Sequence, residues 1–162
     1  MAIDNKTFKN ALKLWASGVA IVTSDSKDGV QGMTATSFTS VSMDPPQILV
    51  CLHESATTGE AVLAGKSFAV NLLTANQEIH SNQFAGASSM EERFEALKWS
   101  KGELGHPIFD EALVSLECTV VQQVKAGTHW VVIGEVQKTT IADNNTVDPL
   151  LYFNGGYAAL KS

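Results

Sequence analysis

Residues 29–58 read GVQGMTATSFTSVSMDPPQILVCLHESATT, two runs rich in apolar and β-branched residues with Asp44-Pro45-Pro46 between them. Proline lacks an amide donor and restricts the residue before it, so one strand ends here and the next begins near Gln47. Between Asp28 and Asp44 there is no charged side chain. The same interval carries six hydroxyl groups, on Thr34, Thr36, Ser37, Thr39, Ser40 and Ser42.

Two interpretations of this hydroxyl-rich segment remain open from the residues alone. In one, threonine and serine simply occupy strands, because β-branched residues fit a pleated surface. In the other, hydroxyls and backbone amides line a pocket for a neutral polar ring system, in which an unpaired charged side chain would be costly to bury. The second interpretation predicts an uncharged pocket.

The segment that follows, Ser55-Ala56-Thr57-Thr58, predicts the start of a helix that continues to Ala64. Thr57 with Glu60 three residues later has the spacing of a capping box. Free amides and hydroxyls at the start of a helix also suit a phosphate group. The alternative is that Thr57 serves only as a cap.

Upstream, a strand at Val19–Thr23 and a turn at Lys27–Gly29 predict a hairpin that leads into residues 29–58. A helix is predicted over Asn5–Trp15, ended by Gly18. We expect its apolar face to lie on the sheet. That face consists of Phe8, Ala11, Leu12 and Trp15.

Downstream, strands are predicted at residues 47–52, 67–72, 113–125, 129–140 and 150–153. Thr74 and Gln77 predict a second capping box for a helix that runs through Phe84, and a short helix is predicted within residues 88–97. Ala126-Gly127-Thr128 joins two long strands as a hairpin. Strands paired through hairpins, with helices to the side, favour an antiparallel, barrel-like α+β domain over a doubly wound sheet.

Composition limits the possible functions. The 162 residues suit one domain over 1–162, and a net charge of -6 with a pI near 5.1 argues against nucleic acid or an anionic membrane as partner. No stretch is long and apolar enough for a membrane span, and the first residues lack the pattern of a signal peptide. Cys51 and Cys118 both lie in apolar runs, so we expect buried, reduced thiols in the cytoplasm.

Searches for established catalytic motifs find no dinucleotide-binding glycine fingerprint, no phosphate-binding loop and no nucleophile elbow. His53-Glu54 has Thr57 where a zinc-protease helix needs a second histidine, so no metal site is predicted. His129 follows Gly127-Thr128 at the start of a predicted strand, which places its side chain at a sheet rim. It is either a site residue or an ordinary surface histidine.

Seven motifs occur in an order that resembles one family: GVAIVTS, GMTATSFTSVSMDPPQILVC, SFAVNLL, FAG followed by RF, LECTVV, GTHWVVIGEV and PLLYFNGGY. The chain resembles the short-chain flavin reductases, the small components of two-component flavin monooxygenases such as 4-hydroxyphenylacetate and phenol hydroxylases. The resemblance runs from about Phe8 to Tyr157. It implies an α+β, mostly β, FMN-binding split barrel with peripheral helices, a homodimer, and reduction of FMN or FAD by NADH or NADPH.

The resemblance also implies which residues bind the cofactors. Around the isoalloxazine ring it places Thr34, Ala35, Thr36 and Ser37. Along the ribityl chain and phosphate it places Cys51, Leu52, Ser55, Thr57 and Thr58. At the tail of the flavin it places Ser81, Phe84 and Ala85. It assigns His129 to the nicotinamide and lets Tyr157 reach the site from near the C-terminus.

No catalytic acid–base pair is required, because hydride transfer is carried by the cofactors and the protein aligns them. The expected partner is a larger oxygenase component that receives reduced flavin. Two alternatives remain: a flavin-bound reductase of a ferric or corrinoid metal complex, and a flavin carrier without catalysis. Turnover of NADH with free flavin separates the three.

Overall fold

A computed structural model describes residues 3–143 and 148–160, so the ends of the predicted domain and residues 144–147 lie outside the described part. Twelve strands occur in this part: β1 Ser17–Gly18, β2 Ala20–Ser26, β3 Gly29–Ala35, β4 Phe38–Met43, β5 Pro46–His53, β6 Ser67–Leu72, β7 Trp99–Lys101, β8 Pro107–Phe109, β9 Val114–Ala126, β10 His129–Ile141, β11 Leu151–Phe153 and β12 Gly156–Ala158. The helices there are α1 Asn5–Leu12, α2 Thr57–Gly65, α3 Glu78–Ala85 and α4 Met90–Glu95, with a 3-10 turn at Ala75–Gln77.

Seven of these strands form one antiparallel sheet in the order β3-β2-β6-β9-β10-β5-β4. Its two edge strands, β3 and β4, are joined by Thr36 and Ser37 alone. Because two residues reach only about 7 Å, the sheet must curl until its edges approach one another. No hydrogen-bonded ladder joins β3 to β4, so the sheet stays open along that line. The prediction of an antiparallel, mostly β, α+β fold is confirmed.

Both faces of β2 are buried along its first half, which is why the chain is continuously apolar from Val19 to Val22 rather than alternating. Ala20 and Val22 pack into a first core with residues of β5, β6 and α2. Val19 and Ile21 face a second core under α3 and α4, which includes Phe84 and Phe94. Helices therefore contribute to both cores, α2 to the first and α3 and α4 to the second.

The prediction that α1 lays its apolar face on the sheet is wrong. None of its residues is buried, and Phe8 and Leu12 remain 52% and 54% exposed. Trp15 lies beyond the end of the helix and is 75% exposed. The Asn154 amide donates to the Lys13 carbonyl at 2.7 Å, and β1 pairs with β11, so the chain is tied beside the C-terminal hairpin and away from the sheet face.

The two cysteines differ in burial. Cys118 is buried, and burial raises the pKa of its thiol to about 12. Cys51 is only half-buried, so the expectation of burial holds for one thiol. No helix within residues 3–143 and 148–160 is long and apolar enough to cross a membrane.

Candidate functional site

Two adjoining pockets lie where β3, the start of α2 and α3 meet. The first, of about 410 Å³, we call the α2–α3 pocket; its walls are Gly32, Met33, Thr34, Ser55, Ala56, Thr57, Thr58, Phe84, Ala85, Gly86, Met90 and Arg93. The second, of about 450 Å³, we call the C-terminal pocket; its walls are Val19, Thr34, Thr36, Glu78, Ser81, Asn82, Ala85, Tyr152, Gly155, Gly156 and Tyr157. Thr34 and Ala85 belong to both, so the pockets form one continuous surface.

Nine of the fourteen predicted site residues line these pockets: Thr34, Thr36, Ser55, Thr57, Thr58, Ser81, Phe84, Ala85 and Tyr157. They come from four separate parts of the chain, brought together by β3, α2, α3 and β12. The two pockets together have room for an extended ligand.

Hydrogen bonds hold the shared wall of the two pockets in place. The Thr34 hydroxyl donates to the Ser81 carbonyl at 2.7 Å, which ties β3 to α3. The Tyr157 hydroxyl lies 2.8 Å from Ser81 Oγ and 2.9 Å from Asn82 Oδ1, which ties β12 to the same helix. Thr34 therefore fixes the wall with its proton and keeps only lone pairs for a ligand.

The predicted capping box at the start of α2 is absent. Ala56 is the N-cap residue, with φ -83° and ψ 125°, and Thr57 is already the first helical residue. The reason is the preceding turn, in which the Ala56 amide donates to the His53 carbonyl and begins the helix one residue early. The Thr57 hydroxyl consequently caps nothing, and Thr58 Oγ1 is buried with no hydrogen-bond partner among the residues that the structure describes.

The first amides of α2 are also available. As at any helix start, the N–H groups of Thr57, Thr58 and Gly59 have no acceptor within the helix, and no hydrogen bond between described residues uses them. Gly59 lies close to the chain before it: a Cβ there would sit 3.1 Å from the His53 carbonyl oxygen. These groups make one end of the α2–α3 pocket suitable for an anion.

Arg93, the only arginine in the sequence, lines this same pocket. Its guanidinium donates to the carbonyl oxygens of Gly32, Phe84, Gly86 and Ser88, at 3.0, 3.3, 2.8 and 3.0 Å. It forms no ion pair with any described residue. Burial lowers its pKa, but a guanidinium stays charged in proteins. The expectation of an uncharged pocket is therefore wrong.

Close packing of α3 against β3 sets the positions of Arg93 and of the pocket wall. A Cβ on Gly32 would lie 2.5 Å from the Phe84 ring, so only glycine lets α3 approach β3 this closely. Phe84 is 2% exposed and packs edge-on against Phe94, with ring centroids 5.1 Å apart. Phe84 is thus mainly a core residue whose edge reaches the pocket.

Five predicted site residues do not line either pocket. Ala35 and Leu52 are buried in the first core. Ser37 Oγ lies 3.1 Å from both the amide nitrogen and the carbonyl oxygen of Cys51, so these two residues bind one another. His129 lies at the rim of the sheet.

At that rim, His129 pairs with His53 across the β5–β10 ladder. Their rings meet edge to face with centroids 4.9 Å apart. His53 Nδ1 lies 2.9 Å from Ser55 Oγ, and Ser55 lines the α2–α3 pocket. An ion pair between Lys125 and Glu54 flanks the histidines and lowers the Glu54 pKa. His129 is therefore linked to the pocket through one intervening side chain.

A second serine–histidine contact is structural. His106 Nδ1 accepts a hydrogen bond from the Asp25 amide at 3.0 Å, so the ring proton lies on Nε2, which contacts Ser67 Oγ at 2.8 Å. A protonated Nε2 cannot take a proton from the serine. Burial lowers the His106 pKa and keeps the ring neutral.

No cluster of three or more candidate metal ligands occurs among the described residues.

Sequence reasoning missed Arg93 and Asn82. The FAG and RF motifs lie close to Arg93 in the sequence. Spacing alone does not show that its guanidinium donates to the carbonyl oxygen of Gly32 on β3. A useful signal was present: a single arginine in a chain of 162 residues, directly before a buried aromatic residue.

The fold agrees with comparisons to known proteins. The sequence matches the flavin reductase like domain family over residues 12–161, and the chain belongs to that family.

Among its relatives, the Escherichia coli (strain K12) protein named FMN reductase (NADH) RutF is 37% identical over 158 residues, covering 98% of this chain and 95% of the relative. Two solved structures are also similar. The Streptomyces globisporus NADH:FAD oxidoreductase SgcE6, in complex with NAD and FAD fragments, has a TM-score of 0.90 and 30% identity, covering 99% of this chain and 97% of that one. The styrene monooxygenase flavin reductase of Pseudomonas putida S12 has a TM-score of 0.86 and 30% identity, covering 96% and 97%.

Proposed function

We propose that this protein is an NADH-dependent flavin reductase that reduces FMN or FAD and passes the reduced flavin to a partner oxygenase. The observation on which the proposal depends is that one pocket is lined both by the start of α2, whose first amides have no acceptor among the described residues, and by Arg93, which forms no ion pair with any of them. A flavin phosphate is the part of the ligand that needs such groups. When both cofactors are bound, they supply the hydride transfer between nicotinamide and flavin.

The residues of the chain orient and shield the flavin. Thr57, Thr58 and Arg93 hold the phosphate, and the buried, unpartnered Thr58 Oγ1 gains an acceptor when an anion binds. The ring lies across Thr34 and Ala85 toward the C-terminal pocket, where Tyr157 closes the wall. Main-chain groups of Ala35 to Ser37 border the ring. Cys51 and Leu52 support this border from behind, since the main chain of Cys51 holds the Ser37 hydroxyl and the Leu52 side chain packs in the core.

His129 is proposed to contact the nicotinamide. It stands at the open rim, next to His53, which touches the Ser55 wall of the flavin pocket. This position lets a second cofactor approach the flavin from solvent without displacing the phosphate contacts. His129 acts on affinity for NADH, because no step of the reaction requires it to carry a proton.

A homodimer is part of the proposal. Phe8, Trp15 and Phe153 are 52%, 75% and 44% exposed, and the hydrogen bond from Asn154 to Lys13 brings α1 and the β11–β12 hairpin side by side. Together they make an exposed apolar surface of the kind that marks interfaces. Tyr152 of the same hairpin lines the C-terminal pocket, so a second copy seated here would border the flavin.

An oxygenase partner and a cytoplasmic location complete the proposal. Support for the partner comes from the similar styrene monooxygenase flavin reductase. The pockets are open to solvent, which suits a flavin that leaves after reduction. Support for the cytoplasm comes from two free cysteines, one half-buried, and from the need for NADH.

The test is the loss of NADH absorbance with purified protein, with and without added FMN or FAD. Oxidation that rises and saturates with flavin is the expected result. Flavin binding without NADH oxidation would contradict the proposal and indicate a carrier. Faster oxidation with ferric or corrinoid acceptors than with free flavin would indicate a metal-complex reductase.

A further inference from the structure

A third cavity, larger than either pocket, runs along α2, and no residue of α3 lines it. We call it the α2 groove. It has a volume of about 690 Å³ and lies between α2 and the end of the β2–β3 hairpin. Thr57 lines both this groove and the α2–α3 pocket, so the groove begins where the proposed phosphate site ends.

One side chain in the groove has unmet hydrogen-bonding capacity. Gln31 is only 8% exposed, and its Oε1 is buried without a partner. No hydrogen bond between described residues uses either end of its carboxamide. A buried polar group left in this state is costly, and rotation of the amide can present either its oxygen or its nitrogen to the groove.

The surface beside Gln31 suits a flat ring. Ala61 and Ala64 are three residues apart on α2, so they share a face of the helix and leave a shallow apolar floor. A carboxamide pairs in bidentate fashion with adenine, donating to N7 and accepting from the N6 amino group. An apolar floor with one unpartnered carboxamide therefore matches an adenine base.

The order of groups along α2 matches an adenosine attached to the phosphate site. Thr57 comes first, Glu60 follows one turn later, and Ala64 lies about 10 Å along the axis from Thr57 at the usual helical rise. The Glu60 carboxylate is placed to accept hydrogen bonds from ribose hydroxyls, the role that an acidic residue has in other dinucleotide sites. The phosphate would thus lie at Thr57, the ribose at Glu60 and the base on Ala61 and Ala64.

We propose that the α2 groove binds the adenosine half of FAD, which makes FAD the preferred flavin of this protein. This inference rests on the proposed function, because it takes the flavin phosphate to lie at Thr57. The α2–α3 pocket holds the phosphate that FMN and FAD share. Only FAD continues beyond it into the groove, where adenine satisfies Gln31.

The test measures dissociation constants of FAD and FMN by equilibrium dialysis for the native protein, Gln31→Leu and Ala64→Phe. Gln31→Leu removes both hydrogen-bonding groups at similar size, and Ala64→Phe fills the floor of the groove. Gln122→Leu, an exposed position on β9, is the matched control. We expect native protein to bind FAD more tightly than FMN. Gln31→Leu should raise the Kd for FAD about tenfold and leave the Kd for FMN unchanged. Ala64→Phe should raise the Kd for FAD further and also leave the Kd for FMN unchanged.

Equal native affinities for the two flavins, or equal changes for both in the variants, would overturn the assignment. NADH also carries an adenosine, so a parallel arm measures the KM for NADH with FMN as acceptor. A rise in that KM in Gln31→Leu, with FAD affinity unchanged, would assign the groove to NADH and refute the assignment to FAD. Failure of the proposed function is a different result: native protein that binds neither flavin.

Discussion

Arg93→Gln provides the sharpest test of the phosphate end of the site. A guanidinium has five N–H groups, and four of them are used on the carbonyl oxygens of Gly32, Phe84, Gly86 and Ser88. The fifth, on Nη2, remains for the ligand. The substitution removes this donor and the only positive charge that lines the α2–α3 pocket.

The expected loss follows from one charge-assisted hydrogen bond, about 1.5 to 3 kcal/mol. That corresponds to a rise of roughly 10- to 150-fold in the Kd for FMN. Riboflavin has the same ring and ribityl chain but no phosphate, so its affinity should stay unchanged. The ratio of the two dissociation constants isolates the phosphate contact from any general damage to the pocket.

The assay is equilibrium dialysis of FMN and riboflavin against native protein and Arg93→Gln. Lys98→Gln, which removes an exposed charge outside the two pockets, controls for the change in net charge. Loss of the four carbonyl contacts can also lower Tm, so Thr57→Val serves as a second variant that removes only the free hydroxyl at the same end. If FMN and riboflavin weaken by equal factors in both variants, or neither weakens, the phosphate does not bind here.

Four further predictions address other parts of the molecule. His129→Ala should raise the KM for NADH and leave flavin affinity nearly intact, whereas an unchanged KM would remove it from the site. Thr34→Val should weaken flavin binding by about 1 kcal/mol, because the hydroxyl that ties β3 to the Ser81 carbonyl is lost; dialysis that shows native affinity would assign Thr34 to the strand alone. Trp15→Ser should shift the protein from dimer to monomer in light scattering, and a native profile would exclude this surface from the interface. The lowered pKa of buried His106 favours its neutral form in the folded state, so this contribution to stability is complete above about pH 6.5 and is lost as the pH falls below it. His106→Gln should flatten that part of the curve of Tm against pH, and an identical slope would contradict the assignment.

Much of the fold was predictable because the signals were local. The hairpin at Lys27–Gly29, the break at Asp44-Pro45-Pro46 and the hairpin around Gly127 depend on residues adjacent in sequence. The capping box at Thr74 was also confirmed, since its two partners are three residues apart. The capping box at Thr57 was wrong because the preceding turn, held by the His53 carbonyl, makes Ala56 the N-cap and Thr57 the first helical residue.

The sequence by itself determined the antiparallel architecture, the hydroxyl-rich segment from Thr34 to Ser42 and the family to which the motifs belong. Only the tertiary structure decided which of these residues share a pocket. Arg93 and Thr57 line the same pocket because Gly32 lets Phe84 of α3 pack closely against β3, and Arg93 is bonded to the carbonyl oxygens of both residues. Gly32 and Phe84 are 52 positions apart along the chain. Likewise, Gln31 is recognisable as unpartnered only once α2 covers it. Hydrogen-bond satisfaction and surface burial depend on every neighbour in space, and spacing along a chain does not encode them.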